Sequence, residues 1–157
     1  MIRVGHGFVV HRFADDGDRP LRLGGVELPG ERGLAGHSDA DVIAHAVADA
    51  LLGGAGRGDI GQLFPDSEPA WAGADSMALL ARVVALVTGD GWVVANVDAT
   101  VVAEAPKIAP HRAAIEQRLT AAVGAPVTVK GKRAEGMGAL GRQEGIACWA
   151  VALLERP

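Results

Sequence analysis

Seven histidine and aspartate side chains lie within residues 36–66, a segment that is otherwise mostly apolar or glycine-rich: His37, Asp39, Asp41, His45, Asp49, Asp59 and Asp66. Three of them, Asp41, His45 and Asp49, are spaced at i, i+4 and i+8, which places them in one line along a helix. Such residues can bind a metal ion or transfer a proton, with a carboxylate orienting the imidazole. The alternative is a structural core histidine held by Asp41 or Asp49. The segment by itself leaves both interpretations open.

The apolar residues of this segment recur at helical spacing and predict a helix over residues 38–52. Ser38 is the expected N-cap, and Asp41, three residues later, is expected to reach back as an acidic variant of the capping box. Gly53 and Gly54 are expected to end the helix. Because its apolar stripe is wide, we expect the helix to be largely buried. The ionisable side chains in line along it therefore need polar partners.

The rest of the chain alternates strands and helices. We predict strands over residues 2–13, 92–103, 127–130 and 145–154, a short strand pair within 21–28, a glycine-rich loop up to Asp66, and helices over 75–87 (with Ser76 as a candidate cap) and 110–123. This pattern predicts an α/β or α+β fold with helices on one face of a mixed sheet. The apolar runs 92–102 and 145–154 predict strands buried on both faces. One chain has no spare element for the second face, so we expect a cyclic oligomer.

Composition favours a compact enzyme or binding domain over other classes. The 157 residues are 49% hydrophobic and 22% charged, which is ordinary for one globular domain over residues 1–157. The net charge of -4 argues against nucleic-acid binding, and no apolar run is long enough for a membrane span. The single cysteine is compatible with the reducing cytoplasm, where we expect the protein.

One short segment, residues 130–142, is basic within this acidic chain. It carries Lys130, Lys132, Arg133 and Arg142 against only Glu135, a net charge of +3. Such a cluster predicts a small anion site, and a solvated loop face is the alternative.

Several motifs spread over nearly the whole chain carry a resemblance to a known family. They are GHGFVVHRF (5–13), LGGVELP (23–29), GHSDADVIAHAVADALLGG (36–54), GDIGQLFPD (58–66), GADS (73–76), NVDATVVAEAPKIAPH (96–111) and GRQEGIA (141–147). In these the chain resembles the 2-C-methyl-D-erythritol 2,4-cyclodiphosphate synthases of isoprenoid precursor biosynthesis. The resemblance implies a homotrimer with its sheets around the three-fold axis and active sites between subunits. It also implies that a phosphate of a CDP-methylerythritol 2-phosphate-type substrate attacks the β-phosphate and expels CMP.

The resemblance further implies two divalent cations, zinc and magnesium. His11 and His45 match the two zinc-binding histidines of the family, while the third ligand, an aspartate, is replaced by Val9. Because residues i and i+2 of a strand share a face, Val9 and His11 should point at the same site, and His6 should point away. Glu135 matches the glutamate near magnesium. We therefore expect a weakened or absent zinc site.

The resemblance also assigns the substrate-binding residues. His37 and Ser38 match a pair that contacts phosphate and sugar alcohol, and Asp59 and Gly61 match residues that contact the methylerythritol hydroxyls. The full set of expected substrate contacts is Ser38, Asp59, Ile60, Gly61, Phe64, Asp66, Ala103, Ala105, Pro106, Lys107, Ile108, Ala109, Lys132, Ala134, Ala139 and Arg142, with residues 64–68 as a mobile loop and 103–109 as the cytosine pocket. The expected catalytic residues are His37, Arg133 and Glu135. Arg142 and Glu144 match a pair near the trimer axis, or form an intersubunit salt bridge.

The residues that differ from the family pattern are concentrated at the expected active site. Besides Val9, Arg133 replaces a threonine, Gly136 a lysine and Ala139 a bulky aromatic residue, and Gln143 interrupts Arg-Gly-Glu-Gly. One hypothesis is that the guanidinium of Arg133 supplies the positive charge that zinc supplies in relatives. Three functions stay open: a working synthase, a diverged paralogue for another cytidylyl or diphosphate compound, and a non-catalytic nucleotide-binding trimer.

Overall fold

The computed structural model describes all 157 residues and contains one four-stranded sheet, one hairpin and five helices. The elements are β1 (Ile2–Arg12), β2 (Leu21–Leu23), β3 (Val26–Leu28), α1 (Val42–Ala55), α2 (Ile60–Leu63), a 3₁₀ turn (Pro69–Trp71), α3 (Ser76–Gly89), β4 (Val93–Val102), α4 (Arg112–Val123), β5 (Val127–Lys132), α5 (Gly138–Gly141) and β6 (Gly145–Glu155). The strand order is β1-β6-β4-β5, with β4 and β5 parallel and the other pairs antiparallel. The predicted mixed sheet with helices on one face is confirmed.

Helix α1 lies directly on strand β1 because two glycines leave room for it. A Cβ atom on Gly5 would lie 1.8 Å from the carbonyl oxygen of Ala50, and one on Gly7 would lie 2.1 Å from that of Ala46. Both distances are far inside van der Waals contact, so a side chain at either glycine would push the helix off the strand. This close approach brings His45 of α1 next to the end of β1.

Strand β1 alternates between its two faces as the sequence predicts. Gly5, Gly7, Val9 and His11 face the helix layer, whereas His6 is exposed on the opposite face. Val9 and His11 therefore share a face, and the expectation that His6 points away is confirmed.

The second face of the sheet is open in the single chain. Phe8 is 47% exposed and stacks on Trp149, which is 38% exposed, with ring centroids 4.8 Å apart. Val4, Val10 and Val151 continue this apolar surface. Every second side chain of β6 points away from the helices, so burial of residues 145–154 on both faces requires a cover that the single chain does not supply.

The start and end of α1 differ from the sequence-based expectation. The helix begins at Val42, and its N-cap is Asp41, whose side chain accepts a hydrogen bond from the backbone N–H of Ala44. Ser38 is not the cap, because the chain turns sharply between it and the helix, with Ala40 at φ +58°. Gly53 and Gly54 lie inside the helix, which continues to Ala55 and ends at Gly56 in a left-handed conformation. Glycine at this position has no Cβ to strain, which makes it the natural C-cap.

Three further helix boundaries or caps also differ from the sequence-based expectation. The glycine-rich loop contains the one-turn helix α2, capped by Asp59, whose side chain accepts from Gln62 N. The cap of α3 is Asp75, which accepts from Met77 N, while Ser76 is the buried first residue of the helix. Helix α4 begins at Arg112, two residues after the expected start.

No helix of the structure is both long enough and apolar enough to cross a bilayer.

Gln143 is expected to destabilise the fold slightly, because its φ of +59° is a left-handed conformation and its side chain is exposed. This conformation costs an L-residue about 1–2 kcal/mol, while glycine avoids the cost but gains some freedom when unfolded. We expect Gln143→Gly to raise the free energy of unfolding by about 0.5–1 kcal/mol in urea denaturation. Gln143→Ala keeps a Cβ and should give no such gain; equal gains in both variants would contradict the explanation.

Candidate active site

A cavity of about 250 Å³ opens at the end of β1, between the start of α1 and the loop that contains α2. It brings together these predicted site residues: His11, His37, Ser38, His45, Ile60, Gly61, Phe64 and Asp66. Gly36, Trp71 and Leu79 complete its wall and were not indicated by the sequence. Asp59 does not line the cavity in the single chain, because its carboxylate caps α2.

The two predicted zinc-binding histidines meet in this cavity. His11 Nε2 lies 3.1 Å from His45 Nδ1, and the rings meet edge to face. Two nitrogens bound to one tetrahedral zinc at 2.0–2.1 Å would lie roughly 3.3 Å apart, so the pair has nearly the spacing of two zinc ligands. The interpretation of His45 as a cavity-facing group is therefore supported by geometry.

The third ligand position does not fit a zinc site. Val9 lies on the same face of β1 as His11 but packs against the apolar core, and its side chain has no atom that can bind a metal. No group of three or more histidine, cysteine, aspartate or glutamate side chains is placed to hold a metal ion. The residues present thus supply two zinc ligands where a catalytic zinc site normally has three.

The polar partners of His45 are serines and not the carboxylates of its own helix. Its Nε2 lies 2.7 Å from Ser76 Oγ and 3.2 Å from Ser38 Oγ. The alternative in which Asp41 or Asp49 holds His45 does not apply, because both carboxylates are engaged by backbone N–H groups. Ser76 belongs to the GADS motif, which is the sequence signal that could have indicated it.

Burial shifts the pKa values of His45 in α1 and of the N-cap residue Asp41 in opposite directions. Desolvation lowers the pKa of His45 to about 4, assisted by the nearby His11. Desolvation also raises the pKa of Asp41 to about 6, although the N–H groups of Ala44, Gly25 and Gly24 act against the rise. At neutral pH the imidazole of His45 is therefore uncharged.

The buried His45 should make the protein less stable in acid. Its pKa is about 4 when folded and 6.5 when unfolded, so the unfolded chain binds more protons between these values. In metal-free buffer we expect this residue to lower the free energy of unfolding by about 2 kcal/mol between pH 7 and pH 5. The measurement is urea denaturation of wild type and His45→Gln at both pH values. The contribution of Asp41 has the opposite sign but is common to both proteins; equal pH dependence of the two would contradict the prediction.

The loop after α2 closes over the cavity. His37 Nε2 lies 3.0 Å from the carbonyl oxygen of Glu68, and the ring of Phe64 meets Trp71 edge to face at 5.0 Å. The guanidinium of Arg82 lies 5.1 Å from the Trp71 ring. These contacts hold the loop against the wall that carries His37.

A second cavity, of about 410 Å³, lies at the end of β4 and β5. Its wall contains these predicted site residues: Ala103, Pro106, Lys107, Ile108, Ala109, Lys132 and Arg133. Glu104, Arg112 and Gly131 also line it, and Gly131 lets the Ile108 side chain approach the strand, because a Cβ there would lie 2.8 Å from Ile108 Cβ. Ala105 and Ala134 do not line the cavity.

Arg133 is paired within this second cavity. Its NH2 and Nε donate to Glu104 Oε2 at 2.9 and 3.3 Å, and the Glu104 side chain is only 5% exposed. The guanidinium lowers the pKa of Glu104 by hydrogen bonding. Since Glu104 offsets the charge of Arg133, the expectation that Arg133 adds a net positive charge in place of zinc is not supported in the single chain. The two cavities share no residue, so Arg133 and the histidine pair lie apart.

The remaining cations of the basic segment are also mostly paired. Lys130 donates to Asp98 at 2.5 Å and Arg142 to Glu144 at 2.8 Å, which leaves Lys132 as the cation of the segment without an ion pair. The segment therefore carries less unpaired positive charge in the single chain than its net charge of +3 indicates. Glu135, with a φ of +54°, is exposed and belongs to no group of three or more potential metal ligands, so by itself it does not form a magnesium site. Ala139 lies in the short helix α5, outside both cavities.

Comparison with known proteins identifies the family. The sequence profile of the YgbB family matches residues 2–155. The chain belongs to the YgbB family. Within this family it is 55% identical to the 2-C-methyl-D-erythritol 2,4-cyclodiphosphate synthase of Bordetella petrii over 157 residues, covering 98% of this chain and 96% of the relative. It is 50% identical to the synthase of Geotalea uraniireducens over 158 residues, covering 99% of each.

Solved structures of the family have the same fold. The CDP complex of IspF from Plasmodium falciparum superimposes with a TM-score of 0.85 at 33% identity, covering 99% of this chain and 96% of the other. Membership of the YgbB family and the expected resemblance to cyclodiphosphate synthases are thus confirmed. The replacement of a predicted zinc ligand by Val9 stands within a chain that is otherwise closely similar to these synthases.

Proposed function

We propose that this protein is a cyclodiphosphate synthase that converts a CDP-methylerythritol 2-phosphate-type substrate to a cyclic diphosphate and CMP. The observation that carries the proposal is the 50–55% identity, over almost the whole chain, to enzymes named for this activity. The CDP complex known for a family structure supports a nucleotide diphosphate as ligand. The reaction joins an oxygen of the 2-phosphate to the β-phosphorus. It breaks the bond from that phosphorus to the oxygen bridging to the α-phosphate, and CMP leaves with the electron pair.

The two cavities divide the substrate between them in this proposal. The second cavity takes the cytidine diphosphate end, where Lys132, Lys107 and Arg112 bring positive charge and Arg133 has N–H groups not used by Glu104. The first cavity takes the methylerythritol phosphate end near His37 and Ser38. Because such a reaction needs mainly alignment and charge neutralisation, binding and orientation by these side chains are the chain's principal contribution.

A homotrimer would join the two cavities across a subunit boundary. One chain carries both half-sites apart from each other, and its sheet exposes an apolar face that includes Phe8, Val10, Trp149 and Val151. Exposed apolar surfaces of this kind mark association sites. Light scattering after gel filtration should give three times the 16.1 kDa mass of one chain. Val151→Lys should lower both the mass and the turnover, and a monomeric wild-type protein would contradict the trimer.

The activity is tested by incubating the protein with CDP-methylerythritol 2-phosphate and Mg²⁺. CMP is followed by chromatography and the cyclic product by ³¹P NMR. We expect equal amounts of CMP and cyclic diphosphate. Thermal stabilisation by CDP without any CMP release would contradict the proposal and indicate a nucleotide-binding protein without catalysis. CMP release from a different cytidylyl compound only would indicate a diverged paralogue.

A further inference from the structure

His45 lies at the end of a chain of polar groups that runs from a carboxylate into the first cavity. Ser76 Oγ lies 2.7 Å from His45 Nε2 and is also hydrogen-bonded to Asp39 Oδ1. The second oxygen of Asp39 accepts from the backbone N–H of Ser76 at 3.1 Å, and Oδ1 accepts from Asp41 N at 3.2 Å. Asp39 is therefore held in place by several donors and points at the Ser76 hydroxyl.

The chemistry of these groups determines which atom donates in each hydrogen bond. A carboxylate only accepts, so the single hydrogen of the Ser76 hydroxyl is donated to Asp39. Ser76 Oγ can then only accept from His45, which requires the proton of the imidazole to be on Nε2. An uncharged imidazole carries one proton, so Nδ1 has a free lone pair. This nitrogen is the one that faces His11 Nε2 at 3.1 Å.

We propose that Asp39 and Ser76 are positioning residues that hold His45 as the Nε2–H tautomer with its Nδ1 lone pair directed into the cavity. Both act through His45 and do not line the first cavity. The tautomer is a property of the free chain. Only its use on a substrate phosphate rests on the proposed function.

The tautomer decides what His45 can bind. A nitrogen with a lone pair repels a phosphate oxygen and accepts a cation or an N–H donor. His45 Nδ1, which faces His11 Nε2 at 3.1 Å, therefore does not donate to the substrate phosphate. The same lone pair is what a metal-binding histidine presents, with its other N–H held by a hydrogen-bonded partner. The partner here is Ser76, whose hydroxyl group is itself hydrogen-bonded to the carboxylate of Asp39.

The tautomer is tested by NMR on metal-free protein labelled with ¹⁵N-histidine, through the long-range couplings from ring carbon-bound protons to each nitrogen. In wild type we expect His45 as the Nε2–H form. Ser76→Ala removes the nearer acceptor and leaves only the Ser38 hydroxyl at 3.2 Å, and Asp39→Asn lets the Ser76 hydroxyl donate to Nε2; both should raise the Nδ1–H population. Ser76→Thr keeps the hydroxyl and should keep the wild-type signals.

Asp75→Asn is the matched control, because Asp75 adjoins Ser76 and caps α3 but makes no hydrogen bond to His45. It should leave the tautomer unchanged. A wild-type His45 in the Nδ1–H form, or signals that do not change in both Ser76→Ala and Asp39→Asn, would overturn the inference. If a variant does not fold, the other one and the wild-type spectrum still decide.

Turnover separates this inference from the proposed function. If the wild-type protein releases CMP, Ser76→Ala and Asp39→Asn should lower kcat/KM by about 10–100-fold, and Ser76→Thr should restore most of it. Full activity in variants whose tautomer has changed would contradict a positioning role. Absence of CMP release from a wild-type protein that shows the Nε2–H form would refute the proposed function and leave the tautomer assignment intact.

Discussion

Replacing Val9 with aspartate is expected to give a protein that binds zinc in a 1:1 ratio through three side chains. Val9 is on the same face of β1 as His11, whose Nε2 lies 3.1 Å from His45 Nδ1, so a carboxylate there would join two nitrogens already at nearly the required spacing. Loss of an outer partner of a metal ligand costs about 10–100-fold in affinity, so we expect a restored ligand to raise affinity by at least about 100-fold. Dialysis followed by metal analysis, and Co²⁺ absorption spectra, measure this.

The same variant tests whether the lost ligand limits catalysis. If the proposed function holds, Val9→Asp should also raise the rate of CMP release in the presence of zinc. Val9→Asn has nearly the same size without the charge and should change neither property much. Adding His45→Gln to Val9→Asp should abolish the gain. If zinc content and CMP release both stay at wild-type levels in Val9→Asp, residues of the site other than Val9 also prevent zinc binding and turnover.

Asp41→Ala is expected to lower the free energy of unfolding by about 3–5 kcal/mol. The side chain is completely buried and accepts from the backbone N–H groups of Gly24, Gly25 and Ala44 at 2.8, 2.7 and 3.0 Å. It thereby ties the turn between β2 and β3 to the start of α1. Removing it leaves three donors without partners, two of them buried and that of Gly25 partly buried, and each costs free energy. Urea denaturation followed by circular dichroism measures the change.

Asp75→Ala provides the matched control for this prediction. Asp75 also caps a helix, accepting from Met77 N at 2.9 Å, but it is exposed, and we expect a loss of only about 1 kcal/mol. Asp41→Asn, which keeps one carbonyl oxygen, should fall between the two. Similar losses for Asp41→Ala and Asp75→Ala would show that buried donors at the β2–β3 turn are not what makes Asp41 important.

The local pattern of the chain predicted those elements whose hydrophobic period is strong. The long strands and α1 followed from alternation and helical spacing, and the shared face of Val9 and His11 followed from the two-residue period of a strand. Cap assignments were less successful. Ser38 and Asp41 are both good N-caps, and which one caps depends on a sharp turn at Ala40 that leaves no mark in the hydrophobic pattern.

Residue types and motif spacing along the chain were enough to predict the family, the strand and helix order and the two histidines with the missing third ligand. Packing in three dimensions set the hydrogen-bond partners of the polar side chains. It assigned Asp41 to the β2–β3 turn, Arg133 to Glu104, and Ser76 with Asp39 to His45. Each of these contacts joins residues 16 to 37 positions apart. Spacing along one element carries no information on such contacts, since the packing of α1, α3 and the sheet brings them together.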